Sequence, residues 1–162
     1  MTNIILVHGA WHGGWAWRKI AEPLRARGHR VFTPTLTGLG ERAHLFSADV
    51  VMDTHIQDVV GLLENEELED VLLVGHSYGG TVITGVAGQV AERLKGLVYL
   101  DAFVPESGQS METMAMPGRF EMMTEKASVA GTPLLVPPPE SSLWSVIDPE
   151  DAAWLDRRLT PH

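Results

Sequence analysis

Residues 75–79 read Gly-His-Ser-Tyr-Gly, and they follow the apolar run Val71–Val74. A serine hydroxyl in a sharp turn between a strand and a helix can act as a nucleophile, held clear of the sheet edge by a strained backbone. Such a turn leaves no room for side chains two residues away on either side, which the two glycines satisfy. Ser77 is therefore the candidate nucleophile; the alternative is a glycine-rich turn with an incidental serine. A second constellation, His8-Gly9-Ala10-Trp11-His12-Gly13-Gly14, follows the first apolar run. Attack on a carbonyl places negative charge on its oxygen, and two convergent backbone N–H groups can stabilise that charge. One should belong to Tyr78, just after the serine, and the other to Ala10, whose small side chain lets a substrate oxygen approach. Read differently, the loop is a flexible turn or a metal loop. Two histidines four residues apart bind zinc when both lie on a helix, but these glycines disfavour a helix, and no metal site is assigned.

A serine nucleophile needs a base within hydrogen-bond reach. Six of the seven histidines, His8, His12, His29, His44, His55 and His76, precede Ser77, and only His162, the last residue, follows it. His76 adjoins the serine but should point to the other side of the strand. His44 and His55 are expected at the surface, on a loop and a helix. Asp101, in Val98-Tyr99-Leu100-Asp101, ends the fourth apolar run, where catalytic groups gather in open parallel sheets. It is a possible triad acid, or else a brace for the serine loop.

The elements that must hold these groups are legible from hydrophobic patterning. Apolar runs over Ile4–His8, Arg30–Thr35, Val71–Gly75 and Leu97–Phe103 read as strands covered on both faces. Trp17, Ile20, Ala21 and Leu24 mark a helix ending at Gly28, with Pro23 predicting a kink or restart. Ile56, Val59, Val60 and Leu63 mark a second, with Asp53 as N-cap. Thr81–Ala91, rich in small residues, is a third, packed close on the sheet. Alternating strands and helices imply a parallel sheet with right-handed crossovers, an α/β architecture. The pattern changes after Pro105: five of the seven Met residues fall in 106–147 and no strand is predicted there. A last helix starts at Pro149, capped by Asp148, and runs to Leu159. Residues 1–105 thus read as the core and 106–162 as a small helical cap, whose Met residues fill either a pocket or the cap's own core.

At 162 residues and 44% hydrophobic content the chain can bury a core. A net charge of −9 makes nucleic acid an unsuitable partner. With no cysteine there is no thiolate nucleophile and no disulfide. No apolar stretch is long enough to cross a membrane, and the short N-terminal apolar run does not read as a signal peptide, so a cytoplasmic location is expected. No phosphate loop or dinucleotide fingerprint is present, and no cofactor is implied.

The segments "LVHGAWHGGWAW", "TPTLTGLGERAHL", "LVGHSYGG" and "LVYLDAFVPE" together resemble the α/β-hydrolase superfamily, and within it bacterial esterases related to plant methylesterases and hydroxynitrile lyases. The resemblance covers nearly all of residues 3–105. It implies Ser77 as nucleophile toward a small carboxylic ester, Ala10 and Tyr78 amides as oxyanion hole, and Trp11, His12 and Phe103 near the substrate pocket. Such relatives take their acid and then their histidine from strands beyond the cap, and His162 does not match that histidine. The chain therefore reads as shortened, with the base elsewhere. An incomplete sheet would expose an edge to self-association or a complementary chain. In the lyase branch a threonine matches Gly9, so a C–C lyase is the weaker alternative. The other is an inactive small-molecule binding module.

Overall fold

The computed structural model describes residues 1–129 and 135–162. Four parallel strands, β1 (Asn3–Val7), β2 (Arg30–Phe32), β3 (Val71–Ser77) and β4 (Leu94–Ala102), form one sheet in the order β2-β1-β3-β4. Side chains alternate across the sheet. Ile4 and Leu6 face helix α1 (Arg18–Ala26), packing with Trp17, Ala21 and Val31. Ile5 and Val7 face the opposite layer, helices α2 (Met52–Asn65) and α3 (Gly79–Val90), with Val59, Leu63, Val82, Ile83 and Val86. This is the parallel α/β arrangement that the alternating pattern predicts.

Several boundaries differ from the sequence reading. β2 ends at Phe32, because Pro34 has no N–H for the ladder and Thr35 Oγ1 instead accepts from Gly14 N–H at 2.8 Å. Helix α1 continues through Pro23 without a break. The missing N–H affects only a first-turn carbonyl, and the buried Trp17 and Ala21 hold the face to the sheet. Gly28, at φ 85, ends that helix as expected, whereas Ile20 is exposed. Asp53 is not the N-cap of α2. Val51 occupies that position and donates its N–H to Thr54 Oγ1 at 3.2 Å, while Asp53 contributes its charge in the first turn.

Beyond residue 105 the described residues hold short helices and no strand: α4 (Met111–Met114), α5 (Arg119–Val129) and α6 (Pro149–Asp156). Asp148 caps α6 through Glu150 and Asp151 N–H, as its sequence predicts, although the helix stops three residues before Leu159. This segment is fastened to the loop after β1. Trp11 Nε1–H donates to Val136 O at 3.0 Å, Thr160 N–H to Trp11 O at 2.9 Å, and Trp154 stacks edge-on against Trp15 at 5.0 Å.

β4 forms one edge of the sheet. Val98 and Leu100 pair with Val74 and His76 on the face where α1 covers β1 and β2, and are 38% and 50% exposed. Among the described residues no helix is long and apolar enough to cross a membrane.

Candidate functional site

The serine turn is built as its glycine spacing requires. Ser77 ends β3 at φ 51, the left-handed region that an L residue enters only under strain. α3 starts two residues later. A Cβ on Gly75 would stand 2.5 Å from Gly79 O, and one on Gly79 would stand 2.6 Å from Val7 O and 2.8 Å from His8 O. Only glycine at both positions lets strand, turn and helix close on one another.

Because β1 and β3 are neighbours in register, Val7 beside Gly75, the loops that follow them emerge side by side. Gly9 lies against the serine: a Cβ there would be 3.0 Å from Ser77 Cβ and 3.1 Å from His76 Nδ1. Neither Ala10 N–H nor Tyr78 N–H donates a backbone hydrogen bond among the described residues. Both N–H groups thus lack a backbone acceptor, one of the conditions for stabilising an oxyanion. Phe103 enters through its backbone, its N–H donating to Ser77 O at 3.1 Å. Asp101 is the extra residue of a β-bulge, since His76 pairs with Leu100 and Ser77 with Ala102. It is exposed at φ 43, and its carboxylate makes no hydrogen bond among the described residues, so it does not brace the turn.

The histidines divide by what their nitrogens do. His8 is buried with both nitrogens engaged: Nδ1–H donates to Gly9 O at 2.8 Å and Nε2 accepts from Leu36 N–H at 3.0 Å. Burial lowers its pKa to about 3, so it is a neutral structural residue. His12 donates from Nδ1 to Ala10 O at 2.6 Å, and burial lowers its pKa too. His76 does point away from the serine's side of the strand, its ring meeting Trp17 and His12 edge-on; desolvation lowers its pKa against the pull of Asp101. His44 is exposed, as predicted.

His55 departs from expectation. It is buried rather than at the surface, with Nδ1 2.9 Å from Tyr78 Oη and Nε2 2.9 Å from Thr37 O. A carbonyl can only accept, so Nε2 carries the proton and Tyr78 O–H donates to Nδ1. The available signal was its place four residues before Val59 on the buried face of α2. His162 closes over the same group, its ring 4.7 Å from that of Tyr78, and its backbone exchanges two hydrogen bonds with Val136. Burial lowers its pKa to about 4.

Two cavities border the loop after β1, and of these only the first reaches the serine turn, at His76. One of about 360 Å³ is lined by Gly9, His12, Trp15, His76, Trp154 and Leu155, among others. The other, about 590 Å³, is lined by Trp11, Met122, Met123 and Pro137–Pro139 among others. His12 and Trp11 thus face separate spaces.

These buried neutral histidines make stability fall in acid. A histidine whose pKa is lowered by folding is neutral in the native state but takes up a proton when unfolded below pH about 6.5. The unfolding free energy should then drop by up to about 1.4 kcal/mol per pH unit for each such group. For His162 the fall continues to pH about 4, and for His8 to about 3. Urea unfolding at pH 7.5, 6.0 and 5.0 checks this; a midpoint unchanged over that range would contradict it.

The sequence model of a family described as "Alpha/beta hydrolase family" matches residues 4–161. The carbendazim hydrolyzing esterase of Nocardioides sp. (strain SG-4G) is 50% identical over 169 residues, covering 99% of this chain and 69% of that protein. An alpha-hydroxynitrile lyase of Arabidopsis thaliana is 35% identical over 106 residues, 65% of this chain and 41% of the lyase. Among solved structures, an extracellular alpha/beta-hydrolase from a Paenibacillus species, described as homologous to tobacco salicylic acid binding protein 2, superposes with a TM-score of 0.89. It is 27% identical and covers 100% of this chain, which spans 67% of its length.

Proposed function

This chain belongs to the alpha/beta hydrolase family, and on that footing we propose that residues 1–162 hold the nucleophile and oxyanion donors of a serine hydrolase acting on small carboxylic esters. The observation that carries the reading is the left-handed Ser77 wedged between β3 and α3 by Gly75 and Gly79. Ser77 Oγ attacks the ester carbonyl carbon and its proton passes to a base. The carbonyl oxygen, now an oxyanion, is held by Ala10 and Tyr78 N–H. Collapse of the tetrahedral intermediate expels the alcohol, which takes the proton, and water then releases the acid from the serine. The cavity of about 360 Å³ beside Gly9, walled by Trp15, Trp154 and Leu155, has room for a small apolar substituent of the ester.

The base is not among these residues in this reading. His8 and His55 have both ring nitrogens engaged, and no described histidine hydrogen-bonds Ser77 Oγ. Asp101 is likewise left out as triad acid, being exposed and unbonded.

Because a relative at 50% identity is named for hydrolysing carbendazim, that compound and p-nitrophenyl acetate are the first substrates to try. Saturable hydrolysis of at least one, accelerated by added imidazole acting as external base, is expected. A folded protein that hydrolyses neither, with imidazole present, would overturn the reading. The lyase alternative is disfavoured by Gly9, where any side chain would press on Ser77 and His76.

A further inference from the structure

We infer that His55 is a positioning residue that fixes the oxyanion donor by holding the Tyr78 side chain. The inference rests on the serine-hydrolase reading and adds to it a residue that touches no substrate. Tyr78 carries two functions on one Cα. Its N–H, at the start of α3, is a proposed oxyanion donor, and its ring is buried, 6% exposed. The orientation of the peptide N–H therefore follows from how firmly the phenol is held.

The hold is a continuous chain of polar contacts reaching back to the far layer. Tyr78 O–H donates to His55 Nδ1, and His55 Nε2–H donates to Thr37 O, both at 2.9 Å. Asp58 fixes Thr37 twice, accepting from its N–H at 2.6 Å and from its Oγ1–H at 2.8 Å. Arg42 pairs with Asp58 at 3.0 Å and donates to Thr35 O at 2.8 Å. On the other side the His162 ring closes edge-on against Tyr78. His55, Asp58, Arg42 and His162 are thus the titratable and charged groups around the phenol. The ring contacts alone would leave the phenol free to slide in its slot; the His55 hydrogen bond sets its depth.

With neutral His55 the Tyr78 hydroxyl donates to Nδ1; a second proton on Nδ1 would reverse that bond, the phenol oxygen turning to accept. Desolvation, the leading effect, keeps the His55 pKa below its ordinary value, which preserves the acceptor. A purely apolar residue would have filled this part of the core without requiring any of these partners.

The test compares His55→Ala, His55→Gln and Tyr78→Phe with wild type in imidazole-supported ester hydrolysis. Removing an oxyanion donor outright costs about 10²–10³ in kcat. Loosening one should cost roughly 10–100-fold in kcat, with KM within about threefold. Glutamine can accept from Tyr78 O–H and donate to Thr37 O, so His55→Gln should recover most of the loss, whereas a role confined to stability would not divide kcat from KM. Nitrogen-15 spectra of the histidines should show His55 protonated at Nε2, and the backbone order parameter of the Tyr78 amide should fall in His55→Ala. A His55→Ala kcat within twofold of wild type, or a Nδ1–H tautomer, overturns the inference. If wild type fails to hydrolyse esters even with imidazole, the serine-hydrolase reading falls, and the tautomer and the Tyr78 amide order parameter still decide whether His55 holds the amide.

Discussion

Ser77→Ala is expected to abolish the imidazole-dependent ester hydrolysis that exceeds the protein-free rate, while leaving the basal rate within about tenfold of wild type. The asymmetry follows from how a nucleophile and its base act as a unit. Once one member is missing, removing another costs little more, and the remaining catalysis comes from the oxyanion hole and binding. Among the described residues no histidine hydrogen-bonds Ser77 Oγ, so on the proposed reading the serine contributes little until a base arrives from solution. Imidazole then supplies the proton acceptor, and the whole increment depends on the hydroxyl. Initial rates with p-nitrophenyl acetate across an imidazole series, for wild type and Ser77→Ala, give the comparison. Equal imidazole slopes in the two proteins would mean that imidazole attacks the ester directly and that Ser77 is a bystander.

The second large effect is on stability. Gly79→Ala should destabilise by about 3 kcal/mol, because the new methyl would meet Val7 O and His8 O, backbone atoms pinned in or beside the central strand. For a chain of this size that corresponds to a fall in Tm of roughly 6–12 °C. Gly88→Ala, nine residues along the same helix, should act in the opposite direction. An added Cβ there meets nothing within 4 Å, and alanine is favoured over glycine in a helix interior by about 0.8–1 kcal/mol. Thermal unfolding of the two variants beside wild type separates the explanations. If both shift Tm alike, helix propensity governs and the close approach of α3 to β1 is not what the glycine serves.

What the sequence revealed was whatever depends on neighbours along the chain. The glycines flanking Ser77, the apolar runs of β1 and β3 and the Asp148-Pro149 start of α6 are local signals, and each is found where it was read. What escaped was set by contacts between distant segments. Pro23 does not break α1, since one lost bond is outweighed by Trp17 and Ala21 packing on the sheet. His55 read as a helix surface residue because nothing nearby in sequence announces that Tyr78 and Thr37 converge on it from 23 and 18 residues away. The same holds for the tail: the return of Thr160 and His162 onto Trp11 and Tyr78 joins residues about 150 and 84 positions apart. Trp11 and His12, adjacent in sequence and both expected near a pocket, turn to different cavities because Trp11 adopts φ 64.

As the proposed nucleophile, Ser77 should be acylatable beside the Ala10 and Tyr78 N–H donors. Intact mass of wild type and Ser77→Ala after exposure to an alkyl fluorophosphonate, with and without imidazole, tests it most directly. One adduct per chain is expected, on the peptide containing Ser77, formed slowly alone, faster with imidazole, and absent from Ser77→Ala. No adduct after prolonged exposure with imidazole, in a protein that still binds ester analogues saturably, would contradict it and leave a binding module in its place.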